Sequence, residues 1–186
     1  EHPGAVVIIP VDQHNRLTIV PEGASDFFRP MDAAQHDNAG LLYVPVTGDF
    51  TAVTKARAEL VGFGDAAAVT VRASAALWAK VCIERSPAGE VSVVSVVTNP
   101  WSDDANGERL QTPECFLRLT RKGDLVAMHY SLDGDQWRFV RCCGTELPQT
   151  VMVGVHAQAP FVSGCRAVFE FLELSPEPVN DFRSGE

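Results

Sequence analysis

The sequence predicts an all-β protein, a two-sheet antiparallel jelly-roll sandwich. Three observations predict its all-β class. Short runs rich in valine, threonine and aromatic residues recur along the chain, each bounded by Gly, Pro, Asp or Asn, which is the punctuation of strands and turns. About eleven runs at this spacing imply a sandwich or barrel and not a βαβ arrangement. No window carries an apolar stripe of helical period, and the alanine-rich stretch 52–60 is the nearest imitation of one. The 186 residues suit one large domain over 1–186.

In chain order, strands are expected at 17–20, 41–46, 50–59, 67–73 and 78–85, then at 91–98, 115–121, 125–131, 137–142, 151–158 and 166–174. The first dozen residues either pair as an edge strand or lie loose. In Tyr130-Ser-Leu-Asp-Gly-Asp-Gln-Trp137, Asp133-Gly134 supplies the positive φ of a tight or bulged hairpin turn. Trp137 is then expected to fold back as a cross-strand aromatic partner. Gly123-Asp124 serves the preceding turn in the same way, so 115–121, 125–131 and 137–142 form a meander. Ser175-Pro-Glu-Pro-Val-Asn180 reads as the start of an extended tail, 175–186.

Alternation along each strand separates two faces. Ala79, Val81 and Ile83 face the core, as do Val69, Val71 and Ala73, Leu117 and Leu119, and Val151, Val153 and Val155. The opposite faces carry Trp78, Lys80, Cys82 and Glu84; Thr70 and Arg72; Phe116, Arg118 and Thr120; His156 and Gln158. A face mixing Arg, Lys, Glu, His and an indole is either ordinary solvated sheet or a shallow groove. Sugars ask for that mixture, because a pyranose has one polar edge and one apolar C–H face.

The formal net charge of −9 repels phosphate backbones, so no nucleic-acid partner is expected. Arg118, Arg121 and Lys122 read as a solvated strand end. No apolar run approaches the roughly 20 residues that cross a bilayer, so no membrane partner is expected. No basic segment precedes the short apolar stretch 6–9, so no retained secretion signal is expected. The five cysteines are odd in number and irregular in spacing, which argues against a disulfide framework and a zinc site. Free, mostly buried thiols in a reducing cytoplasm are the simplest account, with one oxidised pair the alternative that thiol titration tests.

Beyond these patterns, the chain resembles a known family. The residues that carry the resemblance are Asp26-Phe-Phe-Arg29, His36-Asp-Asn38, Gly48-Asp-Phe-Thr51, Trp78-Ala-Lys80 with Ile83-Glu84, and Val91-Ser-Val-Val-Ser-Val-Val-Thr98. Trp101-Ser102, Leu117-Arg-Leu-Thr-Arg121, and Tyr130-Ser-Leu-Asp-Gly134 with Trp137 complete the set. Together they resemble an uncharacterised bacterial and fungal family, classed as concanavalin A-like, that includes a yeast protein named for regulation of enolase. The resemblance spans roughly 16–174 and implies a lectin/glucanase-type fold with a lectin-like role. Two positions depart from the family pattern. Asp65-Ala-Ala-Ala68 stands where the family has Asp-Gln-Ala-Gly, and Cys82 replaces a Gly.

Catalytic patterns are sparse. The Glu-x-Asp-x-Glu run of sandwich glucanases is absent, and Glu170 and Glu173 have odd spacing. Glu84 is the best single carboxylate. Lys80, two pleats away, is expected to pair with it and lower its pKa, the wrong direction for a general acid. Asp103 is the candidate second carboxyl from another strand. No Gly-x-Ser-x-Gly elbow, triad order or phosphate loop occurs. Cys82 beside His156 reads as a structural thiol. His36-Asp37-Asn38 reads as a turn satisfying local backbone groups in preference to a calcium site.

The reading is therefore a non-catalytic, carbohydrate-binding jelly roll in the cytoplasm, without metal or cofactor. Its groove comprises Arg72, Trp78, Lys80, Glu84, Trp101, Asp103, Arg118 and His156. Trp78 or Trp101 is expected to stack on the sugar ring, with Arg72, Arg118 and Glu84 binding hydroxyls and Lys80 holding Glu84. Two rivals stand beside it: a protein-interaction module regulating a metabolic enzyme, expected to show a flat apolar patch, and a glycoside hydrolase.

Overall fold

The computed structural model describes residues 6–9 and 14–186. Among them are fifteen strands and no helix: β1 (Val6–Ile9), β2 (Leu17–Pro21), β3 (Phe27–Phe28), β4 (His36–Asp37), β5 (Leu41–Thr47), β6 (Phe50–Glu59), β7 (Ala66–Ser74), β8 (Leu77–Arg85), β9 (Val91–Thr98), β10 (Ser102–Arg109), β11 (Glu114–Lys122), β12 (Leu125–Ser131), β13 (Arg138–Gly144), β14 (Thr150–Gln158) and β15 (Arg166–Ser175). Among the described residues, no helix is long and apolar enough to cross a membrane. The strands form a seven-stranded sheet in the order β1-β2-β15-β6-β11-β12-β13 and a six-stranded sheet in the order β10-β9-β8-β7-β14-β5. A small hairpin, β3-β4, stands apart from both. Pairing is antiparallel throughout, and the protein is a two-sheet jelly-roll sandwich.

The eleven expected runs are all strands, within two residues at each end, because the alternation that marks them is the alternation that buries them. Val69, Val71, Val81, Ile83, Val153 and Val155 from one sheet meet Phe50, Ala52, Leu117, Leu119, Met128 and Phe169 from the other in a single core. Each fully buried Val, Ile or Leu there contributes about 1.5–3 kcal/mol relative to exposure. The expected meander is β11-β12-β13. Its second turn is longer than a two-residue hairpin, with Gly134 at φ 88° and Trp137 just outside β13. That indole lies over the Arg118 guanidinium, 4.1 Å from the ring centroid.

The outer face of the six-stranded sheet positions the site, and its register builds a lattice. One row across the strands runs Asp104, Val96, Lys80, Thr70, Gly154. The next runs Asn106, Val94, Cys82, Ala68, His156, and the third Ser92, Glu84, Ala66, Gln158. In the second and third rows the small Cys82, Ala68 and Ala66 leave a shallow floor between taller polar residues.

The sequence presents this face as open, and the structure covers it. The segment 22–40, carrying β3 and β4, folds across it and inserts Phe27. Phe27, Ala39, Ala66, Ala68, Trp78, Cys82, Val94 and Val96 form a second apolar cluster there. Polar clamps shape the cover and hold it down: within it the Asn38 side chain accepts from the Asp26 amide and donates to the Ala24 carbonyl. Arg72 pairs with Asp37 at 2.8 Å, and Arg29 exchanges hydrogen bonds with Ser102. The expected turn at 36–38 is thus partly strand, and its Asn does serve backbone groups, across the hairpin and not within a turn.

The outer face of the seven-stranded sheet is covered too, by the tail. Arg118 donates to the Gly185 carbonyl at 2.7 Å, and His129 Nε2 donates to the Phe182 carbonyl at 2.8 Å.

Candidate ligand cavity

The cover over the six-stranded sheet is incomplete, and a cavity of about 340 Å³ remains beside it. Its floor is β8, β9 and β10, with Lys80, Glu84, Val94, Val96 and Asp104; β14 adds Gln158. Asp26, Phe28 and His36 from the covering segment wall one side. Two loops close the other, one between β6 and β7 bringing Phe63, one between β14 and β15 bringing Phe161.

These two rings stack face to face, 5.3 Å apart and 14° from parallel, yet are 45% and 67% exposed. Local sequence explains how they meet. The buried Asp65 carboxylate accepts from the amides of Val61 and Gly62 and tightens the first loop. A Cβ on Gly62 would lie 2.3 Å from Val162, and one on Gly64 2.9 Å from Pro160. Only glycine lets the loops approach closely enough for stacking.

The polar floor is anchored by Lys80. Its ammonium donates to the Phe27 carbonyl at 3.0 Å and to Gln158 Oε1 at 2.7 Å, with Asp26 Oδ1 at 3.8 Å. Burial pushes the Glu84 carboxyl up to about 7; Lys80 opposes this, while the charges of Asp26 and Asp104 reinforce it. Burial also raises the Asp26 carboxyl, against Lys80, His36 and the Phe27 amide. The Asp26 Oδ1 atom is buried and accepts no hydrogen bond. An apolar ledge of two exposed rings therefore faces a floor of one ammonium, one amide and several carboxyl groups.

The structure brings together only part of the expected groove. Lys80 and Glu84 line the cavity, but they do not form the expected ion pair, and Glu84 moves up where the sequence predicted down, because burial outweighs the cation. Trp78 is 1% exposed, with its indole N–H donating to the Ala75 carbonyl, so it offers no stacking surface. Arg72 and His156 are equally buried, Arg72 on Asp37 and over Phe27, His156 against Thr70 and Phe27. Trp101 is 37% exposed but sits under Arg29 outside the cavity. Asp103 points to the other side of β10 and pairs with Arg141 of β13 at 2.8 Å. Arg118 belongs to the opposite sheet, beneath the tail.

The sequence reading missed Asp26, Phe63, Asp104, Gln158 and Phe161 as a set. Asp104 was one residue away, and recognising β10 as a strand would have selected it by alternation. Phe63 and Phe161 carried a local signal: aromatics flanked by Gly or Pro in loops, where no strand buries them.

No curated protein matches the chain. Among solved structures, a functionally unknown protein from Saccharomyces cerevisiae superposes with a TM-score of 0.84 at 24% identity, covering 94% of this chain and 97% of its own. A GH43 protein from Bacillus licheniformis gives 0.67 at 14% identity over 88% of this chain, and a xylan beta-1,4-xylosidase from Bacillus halodurans 0.66 at 11% over 86%. This chain spans only 33% and 32% of those two proteins, and the likeness is one of fold. The family model of proteins of unknown function named DUF1349 matches residues 8–177, and the chain belongs to that family.

Proposed function

We propose that this protein binds a small saccharide, or the end of a glycan, in the cavity between the covering segment and the Phe63–Phe161 ledge. One observation carries the reading: an exposed, stacked aromatic pair stands across from buried, fixed hydrogen-bonding groups. Such a site matches the apolar face and polar edge of a pyranose. The cavity volume suits a ligand of one or two rings. Five unpaired thiols support a cytoplasmic setting, which subcellular fractionation checks.

The test is a glycan array followed by calorimetry. Phe63→Ala and Phe161→Ala are each expected to weaken binding about tenfold to a hundredfold, the loss of most of a buried ring's contribution. Trp101→Ala, outside the cavity, is expected to leave it unchanged. An array without hits, or affinity indifferent to both phenylalanines, overturns the reading. In the first case attention moves to the protein-partner alternative, which the exposed Leu42, Tyr43 and Val44 of edge strand β5 favour.

A second reading is glycoside hydrolysis with Glu84 as proton donor, favoured by its raised pKa. It requires turnover of a bound glycan that disappears in Glu84→Gln while binding persists.

A further inference from the structure

Resting on the saccharide reading and narrowing it, we infer that the cavity selects a ligand bearing a protonated amine: in sugar terms, an amino sugar with its amino group free. The argument is one of unmatched charge beside an apolar ledge. Three carboxyl groups, from Asp26, Glu84 and Asp104, line the cavity against the single ammonium of Lys80, with His36 on the wall. Lys80 is already engaged by the Phe27 carbonyl and Gln158, and its nearest carboxylate is Asp26.

The other two carboxyl groups have no cation in ion-pair contact among the described residues, although the charge of Lys80 reaches Glu84. Glu84 receives only the weak thiol hydrogen bond of Cys82, at 3.8 Å. Asp104 makes no hydrogen bond or ion pair among the described residues. Its strand shows that this is not the rule there: Asp103 pairs with Arg141, Glu108 with Arg138, and Arg109 with Glu90. Every other charged side chain of β10 is matched, and the one that faces the cavity is not.

Neutral hydroxyls accept hydrogen bonds from Lys80 and donate to carboxylates, so a neutral sugar is accommodated. An ammonium supplies in addition the ion-pair partner that Glu84 and Asp104 lack, and the burial of Glu84 strengthens the attraction there. A uronic acid would add a fourth carboxylate and is repelled. The groups facing Glu84 are Lys80 and Cys82 from its own strand, Asp26 from the covering segment and Asp104 from β10. An arriving cation changes that balance toward the ionised form of Glu84.

The experiment is calorimetry of the full chain at pH 7 with three probes: glucosamine oligomers, N-acetylglucosamine oligomers of equal length, and oligogalacturonate. The expected result is at least a tenfold preference for the free amine over the acetamide. Asp104→Asn, an exposed change that leaves the core untouched, is expected to reduce the preference several-fold, and Phe63→Ala to weaken both sugars alike. Equal affinity for amine and acetamide, or a preference for the uronate, overturns the charge inference while the saccharide reading stands. Absence of binding to all three and to every glycan on the array overturns both.

Discussion

Glu84 and Lys80 show what alternation reveals about a residue and what it hides. Their shared face was legible, because side chains two and four apart on a strand point the same way. Their electrostatics were not, because the burial of Glu84 and the charges of Asp26 and Asp104 that act on it come from tertiary folding, out of reach of a pattern along one strand. The consequence is measurable. Between its ordinary 4.5 and about 7, Glu84 holds in the folded chain a proton that the unfolded chain has released. Stability therefore falls as pH rises through that window, and below it the two states are alike. Glu84→Gln is expected to be more stable than the native chain by on the order of 2 kcal/mol at pH 8 and equal to it at pH 4, read from urea midpoints. Equal midpoints at both pH values would show that the folded environment does not penalise the charge.

At the scale of elements, strands whose composition matched their environment were legible, and those made strands by their neighbours were not. β10 reads Ser-Asp-Asp-Ala-Asn-Gly-Glu-Arg, a loop by composition. It is a strand because β9 offers it a ladder, and its exposure and charge suit a sheet edge. β3 and β4 are two residues each, too short to show a period. At the other edge, Gly154 lets β14 carry β5: a Cβ there would lie 2.0 Å from the Leu42 carbonyl oxygen and 2.7 Å from the Tyr43 Cα. Both obstacles are backbone and cannot rotate away. Gly154→Ala is expected to lose about 3 kcal/mol or more, well beyond an ordinary point substitution. A midpoint within experimental error of the native one would refute the close approach.

Across the whole molecule, the sandwich was legible and its wrapping was not. A periodic core can be read from local pattern, whereas two irregular covers, 22–40 and the tail, are specified by scattered clamps such as Asn38, Asp37 and Arg118. The tail makes its own prediction. Burial beneath it, aided by the charge of Arg118 and opposed by the Phe182 carbonyl, lowers His129 to about 4. The unfolded histidine takes up its proton near 6.5, so acid erodes stability as pH falls through that interval. Deleting 181–186 is expected to return the His129 pKa toward 6.5 in an NMR titration and to flatten the acid limb. An unchanged titration would mean that the sheet alone keeps the ring dry.

The five free thiols have a use of a different kind. Burial lifts Cys115 and Cys165 to about 12, Cys143 to about 11 and Cys82 well above the ordinary range, so in the native state these four sulfurs are poor nucleophiles. An alkylating reagent thus meets four nearly silent thiols until the chain opens. Cys82 lies on the face under the covering segment, Cys115 in the main core and Cys165 beside the Phe161 loop. The order in which mass spectrometry sees them tagged becomes a clock for which layer of the molecule lifts first.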